Sequence, residues 1–349
     1  MTAPTKLDTL MRRLVDELGA AASVALVRIG DQLGLYRALQ KQPLNSQELA
    51  TAARIAERYA REWLAQQAAS GYIDYDETSG KFTLPPEQAM VFAEEDSPFY
   101  MMGAFDAIAA NLEGQSTVQA AFRTGAGVEW GAHSACLFCA VARFLRPGYR
   151  ANLVSSWLPA LDGMVERLEA GARVADVGCG YGVSTTLMAA AFPRSEFLGF
   201  DFHSASVETA RRHAADHGVT NAHFEVAKAK AFPGTDYDLV TFFDCLHDMG
   251  DPVGAAAHVR RSLKPDGTWM IVEPQAGDSL AENLNPVGRL WYAASAMVCV
   301  PTSLSQEVGL ALGAQAGEKR LREVLLEGGF TRVRRAADTP VNMILEARP

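Results

Sequence analysis

A glycine-rich segment at residues 173–182 constrains this chain more than any other. It reads Arg-Val-Ala-Asp-Val-Gly-Cys-Gly-Tyr-Gly, so an apolar run with one acid, Asp176, leads into three alternating glycines. Residues 183–192 are apolar and Ala-rich at helical spacing, which predicts a strand, a tight turn and a helix. Glycines let a ligand approach the main chain closely, and a helix start offers free N–H groups. The segment therefore predicts a nucleotide-type site in an α/β fold.

The next strand supplies a second acid. Residues 196–200 predict that strand, and Asp201 follows it, where an acid suits the two hydroxyls of a ribose. A dinucleotide needs Gly-x-Gly-x-x-Gly, whereas this chain has Gly-x-Gly-x-Gly, and Asp176 would repel a pyrophosphate. S-adenosylmethionine carries an ammonium, a carboxylate and a sulfonium but no phosphate, so it tolerates nearby acids. The residues therefore favour this ligand over NAD.

Asp-x-Gly-x-Gly-x-Gly followed by a strand-end Asp resembles the first motifs of class I S-adenosylmethionine-dependent methyltransferases. The resemblance covers residues 161–349 and implies a Rossmann-like sheet of seven strands, with S-adenosylmethionine as cofactor and S-adenosylhomocysteine as its product. The family often has an acid after the third strand, where this chain has Lys228. The residues expected at the cofactor are Asp176, Gly178, Cys179, Gly180, Asp201, Phe202, Ala227, Lys228, Asp244 and Cys245.

Later strands bring more polar groups to the same edge of the sheet. Residues 223–226, 237–243 and 268–272 predict three further strands, and a helix is expected at 254–263. Alternating strands and helices imply parallel crossovers, with ligands at the carboxyl ends of the strands. A final helix at 318–327 and strands at 331–336 and 342–347 resemble the closing elements of the family's sheet.

The segment Leu246-His247-Asp248 carries the candidate base. With the winged-helix start described below, the chain resembles the caffeic-acid and hydroxyindole O-methyltransferases, and overall the bacterial, notably actinobacterial, winged-helix methyltransferases. In the former enzymes a His in this context is the general base, which implies that role for His247, flanked by Glu273. The resemblance also implies a second Glu, near which this chain has Gln315 and Glu318. A phenol needs such a base at neutral pH, and a carboxylate stabilises the imidazolium.

The N-terminal domain, residues 1–95, has the pattern of a winged helix. Helices are expected at 33–39, 47–53 and 57–70, with Ser46 as the cap of the second, followed by strands at 72–76 and 81–84. DNA binding and a packing role are both open for such a domain. Glu57 and Glu62 accompany Arg58 and Arg61 on the third helix and the wing is acidic, which favours packing.

Two further segments predict an apolar acceptor site. Residues 96–160 read as a helical linker and pocket region, and residues 275–317 as a lid inserted before the last helix. Both are rich in aromatic and sulfur-containing side chains, which suit a small, largely apolar or aromatic acceptor. The candidate acceptor-binding residues are Trp130, His133, Tyr149, Trp291, Tyr292 and Met297.

Composition and cysteine usage bound the function. The chain has 349 residues, 48% of them hydrophobic, and a net charge of −9, which argues against general nucleic-acid binding. Five cysteines without framework spacing, no signal pattern and no apolar run long enough for a bilayer predict a cytoplasmic protein without a membrane partner. Cys136 and Cys139 lack a second ligand pair, so they are expected to be buried thiols, and no metal is expected. Apolar residues between 7 and 29 predict a homodimer.

These observations rank the functions. O-methylation of a small molecule leads, and N-, S- or C-methylation remains open within the same class. A winged-helix regulator with a ligand-sensing domain and an NAD-dependent oxidoreductase are the alternatives from other classes.

Overall fold

The computed structural model describes residues 5–349, so residues 1–4 of the predicted N-terminal domain lie outside the described part. The helices are α1 Lys6–Gln32, α2 Leu35–Lys41, α3 Ser46–Ala53, α4 Glu57–Ala69, α5 Pro86–Phe92, α6 Met102–Glu113, α7 Gln115–Thr124, α8 Ala135–Asn152, α9 Met164–Ala170, α10 Val183–Ala191, α11 Ser204–Asp216, α12 Pro252–Ser262, α13 Leu280–Asn283, α14 Pro286–Ala294, α15 Val300–Leu304 and α16 Gly317–Glu327. The strands are β1 Asp74–Asp76, β2 Lys81–Thr83, β3 Arg173–Val177, β4 Glu196–Asp201, β5 Ala222–Val226, β6 Tyr237–Phe243, β7 Leu263–Pro274, β8 Arg332–Asp338 and β9 Asn342–Arg348. Short 3-10 turns occur at Trp130–Ala132 and Leu246–Asp248, and single π turns at Leu153–Trp157 and Ser295–Cys299.

The chain forms two compact units. The first comprises Met1–Ala109 with Arg143–Pro147, and the second comprises Ala110–Ala142 with Gly148–Pro349. The segment 96–160, predicted as one helical region, is therefore divided between the two units.

The first unit contains the predicted three helices and hairpin. Helices α2, α3 and α4 pack around apolar side chains such as Leu39, Leu49 and Leu64, which are almost completely buried. The antiparallel pair β1 and β2 forms the wing, with Gly80 in the left-handed region at its turn. The apolar periodicity of this stretch therefore predicts its helices to within two residues.

The cap of α3 differs from the prediction. Asn45, not Ser46, occupies the N-cap: its side chain accepts a hydrogen bond from the Glu48 amide at 2.9 Å, and the Glu48 carboxylate accepts one from the Asn45 amide. Ser46 is the first helical residue, and its hydroxyl donates to Glu57. The prediction was wrong by one position because both residue types favour caps, and only the Asn at the earlier position forms a capping box with Glu48.

The charged groups of α4 are paired with one another. Arg58 lies beside Glu62, and Arg61 beside Glu57, each four residues apart on the helix surface. Lys81 of the wing pairs with Glu48 at 2.9 Å. These cations therefore already have acidic partners.

Polar contacts within the first unit centre on Arg143. Its guanidinium makes two hydrogen bonds to Asp31, at 2.7 and 3.1 Å, and one to Asp106 at 3.0 Å. Asp106 also accepts a bond from Arg28 at 2.8 Å. The side chains of Arg143 and Asp31 are only 20% and 10% exposed, so this network is largely removed from water.

The apolar face of α1 is open in the single chain. Its exposed members are Leu7, Leu10, Met11, Leu14, Val15 and Leu18. The homodimer stays a prediction. In the part of the chain that the structure describes, no single helix is long and apolar enough to cross a membrane, although the bent pair α1 and α2 passes that test when taken together.

The second unit is built on a sheet of seven strands. Their order is β5-β4-β3-β6-β7-β9-β8, with β3 to β7 parallel and β9 antiparallel to both neighbours. All seven residues of β6 are buried, as expected of a central strand covered on both faces. This sheet is the predicted fold. Strand β7 starts at Leu263, earlier than predicted, and its pairing with β6 shifts register between Tyr237 and Leu239.

The cysteine pair on α8 is not buried. Cys136 and Cys139 are both exposed, whereas Leu137 and Ala140 of the same helix are almost fully buried. Spacing predicts that the two thiols share a helix face but not which face meets the core. The expectation of buried thiols is therefore wrong.

Candidate active site

The glycine turn lies at the carboxyl end of β3. Gly178, Gly180 and Gly182 all have positive φ, a conformation that glycine adopts without strain. The amides of Gly178 and Cys179 both donate to the carbonyl of Phe200 in β4, which holds the turn against the neighbouring strand. A Cβ at Gly180 would meet no atom within 4 Å, so the main chain borders open space there. The turn thus leaves room for a ligand against its backbone.

Asp176 lies beneath this turn and is 1% exposed. Its carboxylate accepts hydrogen bonds from Ser184 at 2.7 Å, Thr185 at 2.5 Å and Thr241 at 2.9 Å. Burial raises the pKa of Asp176, and the three hydroxyl bonds act against that rise. Because β3, β6 and α10 all contribute to this cluster, Asp176 fixes the start of α10 relative to the sheet.

Asp201 ends β4 and faces the same turn. One carboxylate oxygen accepts the Gly180 amide at 2.9 Å and the other the His203 amide at 2.8 Å. Burial raises the pKa of Asp201, against the effect of these two bonds. Each oxygen retains a lone pair for a further donor, such as a sugar hydroxyl. Phe202 beside it is 49% exposed.

The residues after β5 form a looser part of this edge. The Ala227 amide donates to the carbonyl of Asp201, which places Ala227 beside the acid. Lys228 is exposed, and its carbonyl accepts a hydrogen bond from the Ala231 amide. The structure therefore brings Ala227 to the predicted site through the backbone of Asp201.

Asp244 and Cys245 follow the central strand β6. Asp244 has a φ of +49°, and its two oxygens accept bonds from the Tyr149 hydroxyl and the Asn342 amide, each at 2.8 Å. Burial and the charge of Glu273 raise the pKa of Asp244 to about 7. A Cβ at Gly178 would lie 2.7 Å from the Cys245 sulfur, so the ends of β3 and β6 touch. Cys179 and Cys245 have pKa values raised well above normal by burial.

His247 and Glu273 form a buried pair at the ends of β6 and β7. Nδ1 of His247 lies 2.5 Å from one oxygen of Glu273, and the other oxygen accepts the Leu246 amide at 2.9 Å. Nε2 lies 3.2 Å from the Asp248 carboxylate. Burial lowers the pKa of His247, but the Glu273 and Asp248 charges outweigh it and raise that pKa well above its usual value. Both ring nitrogens of His247 therefore face a carboxylate, Nδ1 that of Glu273 and Nε2 that of Asp248.

Cys299, from the segment 275–317, completes the surroundings of His247. The Cys299 sulfur, the His247 ring and the Asp248 carboxylate lie within 4.8 Å of one another. Burial raises the pKa of Cys299 to about 12, so its thiol is neutral. Three such atoms are one short of the four that a closed zinc site uses, and the absence of a metal stays a prediction.

The segment 275–317 packs beside the His247 turn. The Ser303 hydroxyl donates to the carbonyl of Met249, the Gln306 amide to that of Asp248, and the Gly313 amide to that of His247. Its movement as a lid stays a prediction. Glu318 lies elsewhere, paired with Arg322 and Arg335, and so does not act as the second Glu at His247.

An apolar cluster lies next to the catalytic candidates. Trp130, Trp291 and Met297 pack with Leu137, Val298 and Cys299. His133 lies close by: its ring is 6.1 Å from that of Trp130, and its Nε2 lies 3.2 Å from the Thr302 hydroxyl. Burial lowers the pKa of His133. The structure therefore brings four of the six predicted acceptor residues together.

The two remaining acceptor candidates are not members of this cluster. Tyr149 is bonded to Asp244, and its ring contacts Phe243 and Trp157. Tyr292 is 37% exposed.

Three features of the site were not predicted from the sequence. Asn342 donates to Asp244, and Cys299 lies beside His247. The rings of Phe138 and His203 are in contact, with centroids 4.9 Å apart. Asn342 opens β9 and reaches Asp244 from 98 positions away along the chain. Its place at the start of a strand beside the carboxyl edge of β7 was the available signal.

Comparison with known proteins identifies both parts of the chain. Residues 168–329 match the family described as a methyltransferase domain, and residues 20–94 match an Rv2258c-like winged HTH domain. The resemblance to winged-helix methyltransferases is thereby confirmed.

Individual proteins that are similar to this chain are also named as methyltransferases. A ubiquinone biosynthesis O-methyltransferase of Methylococcus capsulatus is 35% identical over 102 residues, which are 28% of this chain and 42% of that protein. The chain thus spans less than half the length of that relative. Human N-acetylserotonin methyltransferase, solved with S-adenosylmethionine, superposes with a TM-score of 0.73 at 17% identity over 99% of both chains. An O-methyltransferase family protein from Burkholderia thailandensis gives 0.71 at 17% identity over 99% of this chain and 98% of that one. These similarities confirm the predicted fold class.

Proposed function

Because the chain carries a class I methyltransferase domain behind a winged-helix domain, we propose that it transfers a methyl group from S-adenosylmethionine to a small acceptor. The acceptor is largely apolar or aromatic, and the reacting atom is a hydroxyl oxygen. The observation that carries this proposal is the buried His247–Glu273 pair beside an apolar cluster that includes Trp130 and Trp291. The matched relative is itself named an O-methyltransferase, which supports oxygen as the acceptor atom.

The residues at the glycine turn fit the cofactor. Gly180 borders open space, and Asp201 retains lone pairs for ribose hydroxyls beside it. Gly178, Cys179 and Gly180 would hold the amino-acid end through their main chain, and Asp176 would act from beneath by fixing the turn. Phe202, Ala227, Lys228 and Cys245 are the further candidates along the same edge. When bound, S-adenosylmethionine supplies an electrophilic methyl group on a sulfonium.

His247 serves as the general base. The proton of the acceptor hydroxyl moves to Nε2, and Glu273 stabilises the resulting imidazolium through Nδ1. Only the neutral imidazole accepts a proton, and the pKa of His247 is raised. We therefore expect the rate to increase with pH. Replacing Glu273 by Gln should move this increase to lower pH, because one of the two charges that raise the pKa is removed.

The apolar cluster supplies the acceptor site. The indole rings of Trp130 and Trp291 and the thioether of Met297 offer surfaces for a flat molecule, and His133, Tyr149 and Tyr292 are the polar candidates around it. N-, S- and C-methylation remain alternatives, because the same apolar surface would bind an acceptor whichever of its atoms receives the methyl group.

Two measurements test the proposal. Titration calorimetry should show binding of S-adenosylmethionine by the intact protein and weaker binding by Asp201→Ala. Transfer of labelled methyl to a set of hydroxylated aromatic compounds should decrease by about 10²- to 10⁴-fold in His247→Ala, at unchanged cofactor affinity. The matched control is His223→Ala, because His223 is an exposed histidine in β5. Absence of cofactor binding would end the enzyme proposal, and full turnover by His247→Ala would end the base assignment alone.

A DNA-binding regulator is the alternative that the winged HTH match brings forward. The pairing of Arg58 with Glu62 and of Arg61 with Glu57 argues against it, because phosphate contacts need unpaired cations. Fluorescence anisotropy with duplex DNA should show no salt-dependent binding. Tight binding at low salt that weakens steeply as salt increases would favour the regulator.

A further inference from the structure

The carboxylate of Asp244 is held in place before any ligand arrives. Its backbone adopts a left-handed φ of +49°, which is uncommon for a residue other than glycine. The Tyr149 hydroxyl and the Asn342 side-chain amide each donate to a different oxygen. Tyr149 is in turn 5% exposed and packed on Phe243 and Trp157. The orientation of Asp244 is therefore set by three separate elements, β6, α8 and β9.

Asp244 has no strong cationic partner of its own. Within residues 5–349, no Lys or Arg forms an ion pair with it. The charged groups that face it are Glu273, which repels it, and His247, which Glu273 already pairs. Its two protein donors, a phenol and an amide, are both neutral. Asp244 is partly buried, and a carboxylate that has lost part of its water is stabilised when a positive charge approaches it.

The position of Asp244 indicates which of the cofactor's two positive charges, the ammonium or the sulfonium, it would meet. It follows the central strand directly, beside the contact between Gly178 and Cys245 and three residues before His247. Because β6 lies between β3 and β7 in the sheet, Asp244 stands between the glycine turn and the His247–Glu273 pair, and a methyl group carried from the turn to the base would be delivered beside it. The ammonium of the cofactor's amino-acid end is common to cofactor and product, whereas the sulfonium charge belongs to the cofactor alone.

We propose that Asp244, oriented by Tyr149 and Asn342, recognises the sulfonium charge, so that the protein distinguishes S-adenosylmethionine from S-adenosylhomocysteine. This inference rests on the proposed function. The positive charge opposite Asp244 disappears on transfer, because the methyl carbon bonds to the acceptor oxygen while the electron pair of the broken C–S bond stays on sulfur. The acceptor proton goes to His247. A neutral thioether beside Asp244 then loses the attraction, which favours release of the product.

The test compares the binding of two ligands to the intact protein and to substituted proteins. Titration calorimetry measures the dissociation constants of S-adenosylmethionine and S-adenosylhomocysteine for the intact protein and for Asp244→Asn. We expect the variant to bind S-adenosylmethionine at least about tenfold more weakly and S-adenosylhomocysteine within about threefold of the original protein. The matched control is Asp236→Asn: Asp236 also has positive φ, at +59°, but is exposed at the opposite end of β6, so both constants should be unchanged.

Other outcomes overturn the inference. Equal weakening of both ligands would assign Asp244 to the shared ammonium, and no weakening would remove it from recognition. If Asp244→Asn does not fold, the same two dissociation constants are measured for Tyr149→Phe. Loss of one hydrogen-bond donor to Asp244 should decrease the preference for S-adenosylmethionine over S-adenosylhomocysteine by at least about threefold. An unchanged preference contradicts the inference. Failure of the original protein to bind either ligand is a different result, because it refutes the proposed function itself.

Discussion

The two units hold their acidic groups in opposite ways. In the first unit, Glu48, Glu57 and Asp76 have pKa values below normal because side-chain hydroxyls, amides or cations donate to them. In the second, the acids at the carboxyl edge have raised pKa values because burial outweighs their hydrogen bonds, as at Asp201 and Asp244. The first unit satisfies its charges internally. The second unit has, at the carboxyl edge of its sheet, acids that no Lys or Arg of residues 5–349 pairs with and whose pKa values burial raises.

The largest expected effect is on the internally paired unit. Replacing Arg143 by Met leaves Asp31 and Asp106 largely buried with fewer cationic partners. We expect the free energy of unfolding to decrease by about 3 kcal/mol. Chemical denaturation of the intact protein measures it, and calorimetry should find the affinity for S-adenosylmethionine unchanged.

Arg58→Met is the matched control for that variant. Arg58 is 66% exposed in its pair with Glu62, and we expect its replacement to cost less than about 0.5 kcal/mol. Equal effects of the two substitutions would mean that the Arg143 network behaves as a surface pair, and the contrast between the units would disappear.

The second-largest expected effect is a pH dependence of stability that comes from the second unit. The pKa of Asp244 is about 7 in the folded protein and near 3.8 in the unfolded chain, so between these values the folded state keeps a proton that the unfolded state has lost. Stability should therefore decrease as pH rises from 4 to 7. The difference between the two pKa values corresponds to about 4 kcal/mol, and because Asp244 is only partly buried we expect on the order of 2 kcal/mol, with the contribution of this residue complete near pH 7. The raised pKa of His247 acts in the same direction above its unfolded value of 6.5.

Thermal melts of the intact protein across this pH range measure the effect. Asp244→Asn should flatten the decrease, and saturating S-adenosylmethionine should reduce it, because a positive ligand favours the ionised carboxylate. A decrease of the same size in the variant would assign the pH response to other groups.

The smallest expected effect compares two helix starts. In the first unit, Asn45 and Glu48 close the start of α3, and we expect Asn45→Ala to cost about 1 kcal/mol. In the second unit, α10 starts after Gly182, and no side chain caps its first amides. Ser46→Ala is the control and should cost less than half as much in a denaturation experiment. If Ser46→Ala lowered the free energy of unfolding more than Asn45→Ala, Ser46 would be the more important residue at the start of α3.

Local pattern predicts most of the fold and part of the site. Apolar runs broken by glycines locate β3, β4 and β6 within one residue because buried parallel strands and tight turns have strong local signatures. The resemblance places His247 and Glu273 at neighbouring strand ends, and the structure finds them bonded. The aromatic-rich composition of segments 96–160 and 275–317, rather than periodicity, indicates the residues that form the cluster around Trp130.

The remainder depends on contacts between distant residues. Tyr149 reaches Asp244 across 95 positions and Asn342 does so across 98. The position of Asn342 at a strand start places it near the carboxyl edge of the sheet, but neither local sequence specifies Asp244 as the partner. The burial of a cysteine on α8 depends on which face of that helix meets the core, which the spacing of Cys136 and Cys139 does not decide. The choice between Asn45 and Ser46 as a cap depends on backbone conformation at a single residue.

Helix α8 has a consequence for how such proteins can be dissected or recombined. Its residues 143–147 belong to the N-terminal unit, although more than thirty positions of the other unit separate them from Ala109. A fragment that stops at residue 109 keeps Asp31 and Asp106 but discards the guanidinium that both of them bind. A single crossover between two related genes would separate the same partners. We therefore expect the N-terminal unit to keep its stability only when the chain up to residue 147 accompanies it.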